Sequence, residues 1–171
     1  MATKFNTTPP AAIEAPPLSP LATAFAALLT VLEEHVTAER DLAKVDAVDA
    51  AYQDKLDAAD DAQDALYAEL AAITALTPTC AEDVPLRRMT LILATLVREG
   101  TASAFRRYAD CKPEFATYLA VPGEGTAALH VAHLLAAADR RISQMAGLPL
   151  YLQDGVSLEA ETERDAELLA A

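Results

Sequence analysis

From Leu21 to Thr77 the chain runs 57 residues without a proline or a glycine. The two residues that most reliably interrupt an α-helix are missing from a third of the molecule. At about 1.5 Å per residue an unbroken helix of this length would extend roughly 85 Å. Alanine dominates the run, as it does the whole chain, where it supplies 39 of 171 residues beside 24 leucines and no tryptophan. A β-sandwich or barrel needs β-branched and aromatic residues broken by frequent glycine turns. With five glycines and nine aromatic residues, the chain lacks that supply. The expected fold is all-α: a long helical hairpin or extended helical bundle with coiled-coil character.

The apolar spacing inside the run supports this. Leu21, Phe25, Leu28, Leu32, His35, Glu39 and Leu42 follow one another at steps of four and three. The pattern resumes as Val45, Asp49, Tyr52, Leu56, Ala59, Gln63, Leu66, Leu70 and Ile73. Two three-residue steps meet between Leu42 and Val45. This irregularity overwinds a coiled coil locally and predicts a bend or break near residues 39–49. His35, Glu39, Asp49 and Gln63 are polar members of the seam, which weaken packing and fix register.

Punctuation divides the rest. Residues 1–19 hold Pro9, Pro10, Pro16 and Pro17 and read as a flexible arm. Ser19-Pro20 is a helix start, with a capping hydroxyl and a proline at the first helical position. Thr77-Pro78 stops the long run. Thr79-Cys80-Ala81-Glu82 has capping-box spacing ahead of a stripe at Leu86, Met89, Ile92, Leu93, Leu96 and Val97. Gly100 ends that helix, Thr101 starts another, and Pro113 opens a short turn of helix. Val121-Pro122-Gly123 is a loop, and Thr126 caps a helix with a seam at Val131, Leu135, Ala138, Ile142 and Met145. The expected division is therefore an arm at 1–19, a helical domain at 20–149, and an acidic C-terminal helix or tail at 150–171.

Residues 84–112 of this chain, which carries a net charge of −13, hold six bases and two acids, whereas residues 33–83 hold three bases and fourteen acids. An acidic surplus repels nucleic-acid phosphate and anionic lipid, so neither is an expected partner. Pairing of the basic segment with the acidic one is the simpler expectation, and an anion site at Arg87, Arg88, Arg106 and Arg107 is the other. The surplus charge also predicts a fold that gains thermal stability from pH 8 to about pH 5.5 and on addition of salt.

The Leu21–Leu32 run is too short to cross a bilayer and lacks the basic leader of a signal peptide. Cys80 and Cys111, the only two cysteines, suggest neither a disulfide framework nor a paired-cysteine zinc site, and a cytoplasmic location follows.

Motifs for chemistry are sparse. Asp57, Asp60, Asp61 and Asp64 fall at i, i+3, i+4 and i+7 on one helix face, where oxygen ligands could gather around Mg²⁺. A solvated acidic face is the simpler account. His130 and His133 stand three apart, with no Glu-x-x-His in the chain to complete a carboxylate–histidine site. No phosphate loop or nucleophile motif occurs, and no cofactor is implied.

The helix at 40–76, the Leu76-Thr77-Pro78-Thr79 corner, and the helix ending Leu134-Leu135-Ala136-Ala137-Ala138-Asp139-Arg140-Arg141 together resemble short Ala-rich helical proteins of alphaproteobacterial genomes and their prophages. The resemblance implies a helical fold and brings no activity and no site residues.

The functional expectation is a non-enzymatic helical interaction or scaffold protein. It would associate with itself or with another helical protein through Leu21, Phe25, Leu28 and Leu32, part of a seam longer than the helix at 84–99 covers alone. The alternative is a small divalent-metal-dependent hydrolase or transferase acting on a phosphate ester, with the four aspartates on the metal and Arg87 and Arg88 on the phosphate.

Overall fold

A computed structural model describes residues 18–152, and all regular structure among them is helical. The 57-residue run forms two helices, α1 (Pro20–Leu42) and α2 (Tyr52–Ala75). After α2 come α3 (Asp83–Glu99), α4 (Ala102–Asp110), α5 (Lys112–Tyr118), α6 (Thr126–Met145) and the single turn α7 (Pro149–Leu152).

The break falls where the seam is irregular. Lys44 N–H and Val45 N–H bond back three residues, to Asp41 and Leu42, tightening the end of α1. Asp49 then accepts from the Ala51 N–H through its side chain at 2.8 Å, a local bond that competes with helix. The reversal lays α2 against α1, its most extensive neighbour. Each helix is about 35 Å long, less than half the reach of an unbroken run.

The starts of α1 and α3 lie together. Ser19 accepts from Ala22 N–H at 3.0 Å, capping α1 behind Pro20 as its sequence predicts, and its hydroxyl also donates to the Asp83 carboxylate. Asp83, 1% exposed, further accepts from the N–H and hydroxyl of Thr79. Asp83 rather than Glu82 therefore answers Thr79, and no capping box forms. Gly100 closes α3 at φ 58°, where a β-carbon would be strained. Thr101 caps α4 through Ala104 N–H.

The core lies between α1, α2, α3 and α6. Leu21, Phe25, Leu28 and Leu32 are all fully buried there against Leu66, Ile73, Leu86, Leu93, Ala138 and their neighbours. This overturns the expectation of an uncovered association stripe. The later helices do cover it, because the break in the long run leaves only half as much seam to cover. The helices pack as a globular bundle instead of a drawn-out hairpin. An ion pair between Arg141 and Glu33, 2.6 Å, ties α6 to the outer face of α1.

α1 continues beyond the apolar run to 23 residues, and by length and composition it is apolar enough to span a membrane, with a mean hydropathy of 1.3 over an 18-residue stretch. Its apolar stripe is committed to the core. The core also runs past residue 149, since Tyr151 of α7 is 1% exposed and packs on Phe105 with ring centroids 5.0 Å apart. Tyr151, expected in the acidic C-terminal segment at 150–171, thus packs with the helical core. The arm at 1–17 and the acidic segment at 153–171 lie outside the described residues.

Candidate functional site

Of the four arginines expected to receive an anion, Arg88 and Arg107 border one groove, and each is engaged by a neighbour within the chain. Arg87 donates to the carbonyls of Ile73 and Leu76 and so closes the C-terminus of α2. Arg88 donates to the Tyr118 carbonyl at 2.6 Å and lies 4.4 Å over the Tyr118 ring. Arg107 pairs with Glu99, and Arg106 bonds the Ala102 carbonyl within its own helix. Lys112 reaches Asp139 of α6 at 2.8 Å. The pairing expected between the basic segment and the acids of α2 is not made by Arg87, Arg88, Arg107 or Lys112. Arg87 and Arg88 bind backbone carbonyls, and Arg107 and Lys112, on α4 and α5, pair with Glu99 and Asp139.

Asp57, Asp60, Asp61 and Asp64 are all exposed, and Asp57 accepts from the Gln53 side chain at 2.7 Å. Among the described residues no group of three or more His, Cys, Asp or Glu side chains converges on one point. A single helix face spreads four carboxylates along its length, and here no second helix brings a completing ligand. Among the described residues, neither the four aspartates nor Arg87 and Arg88 are gathered into a single site.

Two polar arrangements inside the bundle serve the fold. His35, fully buried, shares a hydrogen bond of 2.9 Å with the Tyr151 hydroxyl, while its Nδ1 has no partner. Burial pushes the imidazole pKa below its ordinary value. One turn on, Glu39 is buried too; desolvation first, and the charge of Asp60 second, hold its carboxyl above the ordinary range. The second arrangement is the Ser19–Thr79–Asp83 knot. It borders a cavity of about 430 Å³ at the end of the bundle where α6 also starts, with Cys80, Glu82 and His130 on its wall. Burial and the neighbouring carboxylates raise the Cys80 thiol, which disfavours the thiolate a nucleophile needs.

A groove between α3 and the α4–α5 corner, with a volume of about 500 Å³, presents apolar surface outward. Leu91, Ile92 and Leu96 of α3 form one wall. Ala104 and Tyr108 of α4 and Phe115 and Tyr118 of α5 form the other. Leu91 and Tyr118 are 44% and 45% exposed, large apolar side chains a few helical steps from a fully buried core. The aromatic wall is rigid: Tyr108 stacks on Phe115 at 5.5 Å between centroids, and Tyr108 donates to Asp139 at 2.8 Å. Burial and that acceptor both raise the Tyr108 pKa, so the phenol stays protonated and anchored. Arg88 and Arg107 stand at the rim, with Glu99 beside Arg107, and Cys111 lies at the turn between α4 and α5.

The α3 stripe read from the sequence leaves out Leu91, and no sequence pattern gives Leu91 or Tyr118 a role. The available signal was Leu91 itself, a leucine on the polar face of an otherwise well-segregated helix.

No protein-family model, curated protein or solved structure matches the chain.

Proposed function

We propose that this chain is a non-enzymatic helical interaction protein of the cytoplasm that docks a partner segment in the α3/α4–α5 groove. The observation that carries the proposal is the exposure of Leu91 and Tyr118 on a rigid apolar groove with arginines at its rim. Exposed apolar patches rimmed by polar residues mark interaction sites, and the local charge sets what they accept. The partner is an apolar helical segment flanked by acidic residues, the complement of a segment carrying six bases and two acids. The docking face is this groove and not the α1 seam, whose members are spent on the core. Two free thiols, Cys80 and Cys111, suit a reducing compartment.

A groove of this size supports a weak, transient contact. A synthetic amphipathic peptide with leucines on one face and glutamates beside them is the probe, read by fluorescence anisotropy. The expected dissociation constant is on the order of 10 µM, about −7 kcal/mol. A peptide with lysines in place of the glutamates should bind at least about tenfold more weakly at low salt, and Leu91→Asp should abolish binding of both. Equal affinity for the two peptides, or affinity unchanged by Leu91→Asp, would refute the assignment of the groove.

A further inference from the structure

The cavity of about 430 Å³ beside the Ser19–Thr79–Asp83 knot has a wall of two kinds. Leu18, Ala22, Ala127 and Val131 form an apolar side, and Leu18 among them is 47% exposed. Glu82 and Asp83 place two carboxylates on the same wall, and among the described residues no Lys or Arg lines it. Asp83 already accepts from Ser19 and Thr79. Glu82, half-buried beside the Cys80 thiol, keeps more of its acceptor capacity for a ligand. His130 also borders the cavity, and its buried Nε2 has no hydrogen-bond partner among the described residues. A buried nitrogen of this kind is normally satisfied by water or by a bound molecule.

Charge selects what the cavity takes. The first turns of α1, α3 and α6 border it, and a helix N-terminus carries about half a positive charge. Three such ends amount to roughly 1.5 positive charges, against two carboxylates on the wall. The balance is negative, and the net charge of −13 on the whole chain adds to it. A bare metal ion is not the fit, because Cys80, Glu82, Asp83 and His130 do not converge as a ligand group. An organic cation spreads its contacts over a wider wall. The volume lies within the range of ligand pockets, about 300–1,000 Å³.

We propose that this cavity binds a small primary amine carried on an apolar body, the ammonium held at Glu82 and the body laid on Leu18, Ala22, Ala127 and Val131. The ammonium gains a charge-assisted hydrogen bond, and the body displaces water from walls that hold it poorly. The cavity shares no lining residue with the α3/α4–α5 groove, so this site stands apart from the docking proposed there.

Four probes separate charge from body: hexylamine, hexanol, methylamine and hexanoate. Each is titrated into the isotope-labelled full-length chain at neutral pH and physiological salt, and backbone amide shifts are followed by NMR. Hexylamine should shift the amides of Ser19, Ala22, Cys80, Ala127 and Val131 saturably, with a dissociation constant on the order of 1 mM. Hexanol lacks the charge and methylamine lacks the body, so each should bind at least about tenfold more weakly. Hexanoate should give no saturable shift. Glu82→Gln should weaken hexylamine about tenfold, to the level of hexanol, and leave hexanol unchanged. Ala127→Phe, at an exposed position of α6, fills the cavity and should abolish binding of both while the helical signal is kept.

Hexylamine binding no tighter than hexanol would overturn the proposal, since the carboxylates would then select nothing. Hexylamine binding no tighter than methylamine would overturn it in favour of diffuse attraction to an acidic surface. Tighter binding of hexanoate would mean that the helix N-termini set the charge of the cavity. Hexylamine affinity unchanged by Glu82→Gln would remove the ammonium from its assigned place. Absence of a saturable hexylamine shift at tenfold the expected constant would leave the cavity without this ligand.

Discussion

His35 is a buried imidazole one helical turn from a buried carboxylate, and its replacement by glutamine tests how the core handles charge. The ring is fully buried, bonded to Tyr151 through one nitrogen and unpartnered at the other. Burial lowers its pKa from the ordinary 6.5, so the unfolded chain binds a proton that the folded chain refuses. With the folded pKa depressed, stability is fully present above about pH 6.5. It falls as pH drops below that value, by at most about 1.4 kcal/mol per pH unit. Integrated for one group from pH 7.5 to 5.5, the loss has a ceiling of about 1.4 kcal/mol, or roughly 3–5 °C in Tm for a chain of this size.

Glu39 acts in the opposite sense. Its raised pKa means that acidification toward that value stabilises the fold, as does relief of the general acidic surplus. Both contributions are shared by the parent and by His35→Gln, whose amide can still bond the Tyr151 hydroxyl, and so they cancel in the difference. The assay is thermal unfolding followed by circular dichroism at pH 7.5, 6.5 and 5.5 for both proteins. The parent should lose up to several degrees relative to the variant between the first pH and the last. Identical pH dependence in the two proteins, or a relative gain by the parent on acidification, would show that His35 accepts a proton in the folded state. Burial would then not keep His35 neutral in the folded chain.

Leu28→Asp places a carboxylate at a fully buried core position and should unfold the chain, seen as loss of helical signal and not as dissociation of a folded dimer; a folded monomer would contradict the packing. Asp83→Ala removes an acceptor of three hydrogen bonds joining α1 to the α2–α3 corner and should cost about 2–4 kcal/mol in urea unfolding. Burial opposes the charge on Asp83, but the bonds from Ser19 and Thr79 outweigh it and lower its pKa, so this stabilisation should persist above about pH 3.8 and fade in acid as the carboxylate protonates. Gly100→Ala forces a side chain into the left-handed region and should cost about 1 kcal/mol; a neutral outcome in the same unfolding assay would mean that the α3 end relaxes.

The local rules were legible from residue order alone. Ser19-Pro20 starts α1, Gly100 ends α3 and Thr101 caps α4, because each depends on bonds within a few residues. The four-and-three spacing picks out most of the buried residues of α1 and α2, missing Ala22 and Val36 and taking in the half-buried Leu42, Tyr52, Leu56 and Gln63, and the irregular step between Leu42 and Val45 marks the separation of the helices. What covers that seam was not legible. Coverage depends on where α2 folds back and on α6 and α7 arriving from more than ninety residues away, and no local pattern encodes such distances. For the same reason Leu21, Phe25, Leu28 and Leu32 turned from a candidate interface into core. His35 and Glu39 read as polar seam positions, but only the fold brings Tyr151 to His35 and Asp60 near Glu39. The arginines show the limit most clearly. Composition gives residues 84–112 their positive charge, yet a guanidinium binds whichever carbonyl or carboxylate the packing places within its reach. Only the tertiary structure sent Arg87 to the end of α2 and Arg88 to Tyr118, leaving Leu91 beside them facing outward.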